Sequence, residues 1–150
     1  MSIEKQIKQK AFKSESEKAL VNINFTQSYF SSLMNGSLKN FNVSMQQFNV
    51  LRILKGQYPK PVSVNDITDR MLDKMSNASR LVEKLRQKGY VERAKCSYDK
   101  RQVDVSITSL GIEMLDKLTE IVSEIIDDHN HLSDEEFITL NNLLDKLRKE

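Results

Sequence analysis

One segment, residues 74–108, constrains the fold of this chain more than any other. It holds an amphipathic stretch with basic residues on one side, which ends at Gly89, and then two short runs in which apolar and polar residues alternate. Glycine commonly ends helices, and alternation with a period of two is typical of strands. The segment therefore predicts one helix followed by a β-hairpin.

Charge is distributed unevenly along the chain. The formal net charge is only +2, but nine basic residues and three acidic residues lie between Lys74 and Arg101. From Ser109 onward, eleven acidic residues accompany four basic ones. A basic middle with an acidic end can orient a protein on a polyanion, although an uneven solvated surface gives the same count.

Length and composition limit the class of protein. The 150 residues contain no low-complexity tract or internal repeat, so we expect one domain. No apolar run is long enough to span a membrane and the N-terminus lacks the apolar core of a signal peptide, so we expect a cytoplasmic protein. The single cysteine, Cys96, cannot form an intramolecular disulfide, which agrees with a reducing compartment.

Three serines mark helix starts. Ser44, Ser63 and Ser133 are each followed three residues later by Gln, Asp or Glu, and apolar residues flank each of them. Each predicts a helix that begins just after the serine. The first should reach about Gly56, and the second should run from about Val64 to Met71. The inward residues expected in the first are Phe48, Leu51 and Leu54.

The basic helix divides into a buried and a polar face. Its apolar residues follow at spacings of three, four and three, which predicts one buried stripe. These residues are Met75, Ala78, Val82 and Leu85. The polar residues expected outward, together with Lys74, are Ser76, Asn77, Arg80 and Lys84. Because Arg can form two hydrogen bonds with guanine and Asn can form two with adenine, Arg80 and Asn77 are predicted to contact the bases. The alternative is an ordinary solvated helix, which can show the same polar face.

The hairpin is predicted from strands at residues 90–95 and 102–107. Its polar tip and flank include Lys95, Asp99, Lys100 and Arg101. The guanidinium of Arg101 suits a narrow A·T-rich minor groove, and Asp99 can hold Arg101 in position by an ion pair. The alternative is a surface ion pair that contributes little to stability. A helix followed by such a hairpin is the order of a winged helix-turn-helix module, which presents the helix to the major groove of DNA.

The segment RLVEKLRQKGYVER followed by DKRQVDVSITSLG resembles the MarR family of bacterial transcriptional regulators. The matching signature is Asp99-x-Arg101, a strand, and Thr108-x-x-Gly111. The resemblance implies a mainly α fold with a small β-wing. It also implies that Arg101 enters the minor groove and that Ser76, Asn77 and Arg80 lie on the major-groove helix.

By the same resemblance, residues 43–108 form the DNA-binding lobe and residues 1–42 and 109–150 form dimerisation helices. The residues also favour a homodimer, because both ends carry apolar stripes that a monomer of this size would struggle to cover; intramolecular helix packing is the alternative. The predicted dimerisation residues are Leu20, Ile23, Leu118, Val122, Ile125, Phe137, Leu140, Leu144 and Leu147. A two-fold dimer predicts a pseudo-palindromic operator.

These observations predict a sequence-specific DNA-binding repressor, released by a small molecule or an oxidant. The resemblance implies an effector cleft between the dimerisation helices and the DNA-binding lobe, but no residue of the sequence identifies which effector binds there. The alternative is a winged-helix module that docks an acidic protein partner.

Two further clusters suggest other chemistry. Cys96 lies beside Lys95 and near Arg93 and Lys100, a setting that favours a redox-sensitive thiolate. The family's peroxide-sensing branch, however, keeps its reactive cysteine in the N-terminal helix, where this chain has none. His129 and His131 follow two aspartates, but the H-x-H spacing is weak evidence for metal, and we favour a solvated loop before Ser133. We expect no cofactor, no metal and, without a nucleophile–base motif, no enzyme.

Overall fold

The computed structural model describes residues 1–95 and 103–148, and helices dominate these residues. The helices are α1 (Ile3–Gln6), α2 (Glu15–Leu38), α3 (Met45–Lys55), α4 (Val64–Arg70), α5 (Ala78–Gln87), α6 (Ser109–Asp128) and α7 (Asp134–Leu147). The strands are β1 (Val62–Ser63), β2 (Val91–Lys95) and β3 (Val103–Ile107). The mainly α fold with a small sheet is the predicted one.

The three serine caps are confirmed. Ser44 Oγ accepts from the Gln47 backbone N–H at 3.2 Å, and the Gln47 side chain accepts from the Ser44 N–H at 3.3 Å. Ser133 and Glu136 form the same reciprocal pair at the start of α7. Ser63 caps α4 through the Asp66 N–H, but its hydroxyl donates to the Asp66 carboxylate at 2.8 Å. These local bonds satisfy backbone donors that the first helical turn leaves free.

The sheet has a third strand that the sequence analysis did not predict. All three strands are antiparallel in the order β1-β3-β2, with Val62 opposite Val105 and Val91 opposite Ile107. Strand β1 has two residues, which is too short for alternation to be visible. Its pairing places the start of α4 against the hairpin.

The core lies where α3, α4, α5, α6 and the sheet meet. The predicted inward residues of α3 are all buried, with Phe48 at 3% exposure and Leu51 and Leu54 at 1% or less. Other fully buried side chains come from each remaining element of this core: Ile67, Val82, Leu85, Val105 and Leu118. This core holds α5 by its inner side and so determines which side chains it presents to solvent.

A close contact joins the start of α6 to the end of α5. Gly89 has φ +76°, as the predicted helix end requires, and its carbonyl accepts from Thr108 Oγ1 at 2.7 Å. Thr108 Oγ1 in turn accepts from the Gly111 N–H at 3.0 Å and caps α6. The Thr108-x-x-Gly111 signature therefore connects α6 directly to the turn that precedes the wing.

The far end of α6 is tied to α2. His129 Nδ1 lies 2.9 Å from the Ile125 carbonyl oxygen, and His129 Nε2 lies 3.1 Å from the Tyr29 hydroxyl. The imidazole also meets the rings of Tyr29 and Phe30 edge to face. The predicted solvated loop is therefore wrong for His129, which packs between the helices, whereas His131 is exposed.

Candidate nucleic-acid interface

Helix α5 presents its basic face to solvent because its opposite face is anchored in the core. Ala78, Val82 and Leu85 are 3% exposed or less. Burying an aliphatic side chain of this size contributes about 1.5–3 kcal/mol, so rotation of the helix is strongly disfavoured. Arg80 and Lys84 are exposed, and neither forms an ion pair with another described residue. The outward orientation predicted for both is confirmed.

The prediction that Met75 joins the buried stripe is wrong. Met75 is 93% exposed and precedes the helix, because Asn77 is the N-cap and α5 begins at Ala78. Asp73 shapes the preceding turn: its carboxylate accepts from the Met75 N–H and from the Ser76 hydroxyl, both at 3.0 Å. Such local side-chain bonds compete with helix formation. The predicted apolar stripe therefore combined a residue of the preceding turn, Met75, with residues of the helix that begins at Ala78.

The same boundary changes the setting of three predicted DNA-binding residues. Ser76 and Lys74 lie in the turn before α5, and the Lys74 ammonium donates to the Asp69 carbonyl. Asn77 Oδ1 accepts from the Arg80 N–H at 2.9 Å and so caps the helix. The Asn77 amide N–H groups remain as donors, and bidentate contact with adenine would require this cap to open. The residues stay close together at the leading end of α5.

The wing is described only at its base. Strands β2 and β3 pair over five residues each, in agreement with the predicted hairpin. The predicted tip residues Asp99, Lys100 and Arg101, together with Cys96 and the side chain of Lys95, lie outside the described residues. Their roles stay predictions.

An ion cluster that the sequence analysis missed links α5 to the wing. Glu83 accepts two hydrogen bonds from Arg86, at 2.8 and 3.0 Å, and a third at 3.3 Å from Arg93 on β2. These contacts, Arg86 first, lower the pKa of Glu83 to about 2. The Glu83 and Arg86 pair is visible in the sequence as an i,i+3 spacing, but the partner on β2 is not. The cluster fixes the base of the wing relative to α5.

This cluster predicts a specific pH dependence. Because the pKa of Glu83 is lower in the folded chain than in the unfolded chain, the cluster stabilises the fold above about pH 4.5, and this contribution is lost as the pH falls toward 2. In an NMR titration, the Glu83 carboxyl should show a midpoint of about 2. Arg86→Gln should raise that midpoint more than Arg93→Gln, because Arg86 provides the two shorter bonds. Equal shifts in the two variants would contradict this assignment.

An apolar cleft lies between the terminal helices and the lobe of α3 and α4. It encloses about 550 Å³ between α2, α3, α6 and the turn after α4. The side chains lining it include Met34, Phe48, Met71, Leu72, Val122 and Ile126. Arg52 adds a cation, with its guanidinium carbon 5.9 Å from the centre of the Phe48 ring. Because Asp73 also lines the cleft, the polar part of the cleft contains one cation and one carboxylate beside a mainly apolar wall.

Apolar side chains of the terminal helices remain exposed in the single chain. No described residue of α7 is buried, and α2 buries only Leu38. Leu20, Leu140 and Leu147 are between 41% and 56% exposed, and the other predicted dimerisation residues except Leu118 are half-buried. Leu118 does not fit the prediction, because it is fully buried in the core of its own chain. None of its surface is therefore accessible to a second copy of the chain.

Known proteins resemble this chain in sequence and in fold. Residues 41–102 match the MarR family model, and this range covers the lobe from the start of α3 into the wing. A MarR transcription factor from Planctomyces limnophilus is 26% identical, with a TM-score of 0.69 over 90% of this chain and 98% of that one. Over residues 41–102 the chain is therefore similar to the MarR family.

Two other proteins show how far the likeness extends. The HTH-type transcriptional regulator SarZ of Staphylococcus haemolyticus is 24% identical over 106 residues, which are 71% of each protein. The structure of MepR from S. aureus in a complex with DNA has a TM-score of 0.76 at 21% identity, over 83% of this chain and 92% of that one. The winged-helix fold of the MarR family therefore extends into the terminal helices. Across the described residues, every helix is too short or too polar to cross a membrane.

Proposed function

We propose that this protein is a MarR family regulator that binds specific sites on double-stranded DNA as a homodimer and represses transcription. The observation that carries the proposal concerns Arg80 and Lys84 on α5. Both are exposed and neither forms an ion pair with another described residue, while the opposite face of the helix is buried in the core. Arg and Lys on an exposed helix of this kind meet phosphates and base edges in the major groove. The proposal assigns no catalysis to the chain.

The proposed contacts divide into two sets. The first lies at the leading end of α5 and comprises Lys74, Ser76, Asn77, Arg80 and Lys84. The second is the wing, with Lys95, Asp99, Lys100 and Arg101, and its contact with the minor groove is proposed from the sequence signature. The DNA complex of MepR, which shares this fold, supports the assignment of the lobe to DNA.

The proposed homodimer follows from the uncovered apolar faces. A two-fold axis through α2, α6 and α7 would bury Leu20, Leu140 and Leu147 against a second copy. The two α5 helices would then lie about one DNA turn apart, roughly 34–36 Å, and would meet a pseudo-palindromic operator. We propose residues 1–42 and 109–150 as the dimerisation region and 43–108 as the DNA-binding lobe.

Release from DNA is proposed to depend on the apolar cleft. Its walls belong to both regions, with Val122 and Ile126 on α6 and Phe48 and Met71 on the lobe. A ligand that fits only one spacing of these walls shifts the equilibrium toward that spacing. The spacing of the two lobes in the dimer determines whether both α5 helices reach the operator.

Two substitutions on α5 test the proposal. Sites are first selected from random duplexes with purified protein, and binding is then measured at several salt concentrations. Arg80→Ala should reduce the preference for the selected site over random DNA by about 10–100-fold, because a base contact is lost. Lys84→Ala should weaken both kinds of DNA about equally and flatten the salt dependence, because a phosphate contact is lost.

One result would contradict the proposal directly. If the unmodified protein binds selected and random duplexes with equal affinity at every salt concentration, it is no sequence-specific regulator. Salt-sensitive binding to an acidic protein without selection of DNA would then favour the docking module, the alternative that the sequence leaves open.

A further inference from the structure

A second cleft lies on the other side of the lobe, between the end of α2, the start of α3 and the C-terminal half of α5. It encloses about 520 Å³ and is open to solvent. Its polar lining combines three lysines with three side-chain amides and contains no carboxylate: Asn35, Lys39, Asn42, Gln47, Lys84 and Lys88. Neither the sequence signature nor the proposed DNA contacts account for this grouping.

Gln47 contributes a side-chain amide to the wall of the cleft. Its side chain is 5% exposed, and its Oε1 accepts from the Ser44 N–H at 3.3 Å and from Lys88 Nζ at 3.0 Å. Its amide nitrogen has no acceptor within the parts of the chain that the structure describes. This N–H₂ group therefore keeps donor capacity that an oxygen atom bound in the cleft would accept.

The lysines supply positive charge that the surrounding groups do not neutralise. Across residues 1–95 and 103–148, neither Lys39 nor Lys84 forms an ion pair. Lys88 donates to the Asn42 carbonyl and to Gln47, both uncharged acceptors. Partial burial and the nearby charge of Lys84 lower the pKa of Lys88. The negative charge of a bound anion would offset both effects.

We propose that this cleft binds the phosphate group of a small metabolite. Lysines act as point charges and suit a tetrahedral phosphate, whereas planar carboxylates are more often held by the fork of an arginine. Amide donors from Gln47 and the asparagines would complete the coordination of the phosphate oxygens.

The position of the cleft gives such a ligand a route to regulation. Lys84 and Leu81 belong to α5, whereas Lys39 directly follows α2 and Gln47 belongs to α3. A phosphate that bridges these walls would stabilise one position of α5 relative to α3, and so would change the affinity for DNA. The effect on DNA affinity rests on the proposed function, whereas the phosphate site itself does not.

The test follows phosphate binding in the absence of DNA. The full-length protein is titrated with inorganic phosphate at constant ionic strength, and the side-chain amide resonances of Asn42 are followed by NMR. We expect a saturable shift. Lys39→Gln should weaken binding about three- to tenfold, because one charge-assisted contact is lost at a partly solvated site. Lys117→Gln, which removes the same charge from an exposed residue of α6 outside the cleft, should change nothing.

A second variant should keep the fold and place a negative charge in the cleft. Gln47→Glu retains an oxygen acceptor for the Ser44 N–H, so the cap of α3 should survive, but it replaces the amide donor with a carboxylate. Phosphate binding should be lost while the circular dichroism spectrum and the midpoint of thermal unfolding stay close to those of the unmodified protein.

The outcomes distinguish a metabolite phosphate from the phosphates of the DNA backbone. They also distinguish failure of the phosphate site from failure of the proposed function. Shifts that do not saturate, or equal weakening by Lys39→Gln and Lys117→Gln, would overturn the site. If free phosphate does not bind but Lys39→Gln alone lowers affinity for duplex DNA, the cleft holds DNA backbone and the metabolite proposal is wrong. If phosphate binds saturably but the protein selects no DNA, the site stands and the proposed function fails.

Discussion

Gly111→Ala is expected to lower the free energy of unfolding by more than about 3 kcal/mol. A Cβ at this position would lie 2.1 Å from the Tyr90 carbonyl oxygen and 2.9 Å from Ile107 Cγ1. The carbonyl is backbone, so it cannot rotate away as a side chain could. The clash could be relieved only if α6 moved away from the turn that follows α5. That movement would strain the Thr108 cap and the hydrogen bond from Thr108 to Gly89.

The matched control is Gly36→Ala in α2. Both glycines lie in helices, and helix propensity alone predicts that alanine stabilises each by about 1 kcal/mol. At Gly36 a Cβ would meet no atom within 4 Å, so the full gain is expected there. Urea unfolding of the two variants beside the unmodified protein measures the difference. A stability change of the same sign in both would show that the approach of α6 to Tyr90 is not as tight as the structure places it.

The second large effect is expected from Leu140→Glu on α7. In the proposed homodimer, the two-fold axis brings this residue into the interface twice, so the substitution buries two carboxylates in an apolar contact. We expect the dimer to dissociate at micromolar concentration in sedimentation velocity. Affinity for the operator should fall about a hundredfold or more, because each lobe then binds its half-site without the other.

Asn142→Glu provides the control for this charge. Position 142 lies on the opposite side of α7 from Phe137, Leu140 and Leu144, since two residues correspond to about 200° of helix rotation. It adds the same carboxylate to the same helix and should leave a dimer. A Leu140→Glu protein that remains dimeric and binds DNA normally would place the interface elsewhere.

The starts of α3, α4 and α7 and the end of α5 could be predicted from the sequence because their signals are local. Ser44, Ser63 and Ser133 cap helices through groups three residues away, and Gly89 ends α5 through its own backbone conformation. The failure at Met75 has the same origin, since two local signals competed there. Apolar spacing favoured a longer helix, whereas hydrogen bonds to Asp73 and the cap at Asn77 delayed its start.

The sequence by itself therefore determined the capped helices and the basic outer face of α5, because these depend on neighbours within about four positions. It also determined the two strands of the hairpin, whose alternating pattern is local to each strand. Only the tertiary structure decided which distant groups meet. It paired β1 with β3, placed Arg93 beside Glu83, buried Leu118 and brought Lys88 to Gln47, which lies 41 positions earlier. These contacts arise from the packing of whole elements around a shared core, and no spacing along the chain encodes them.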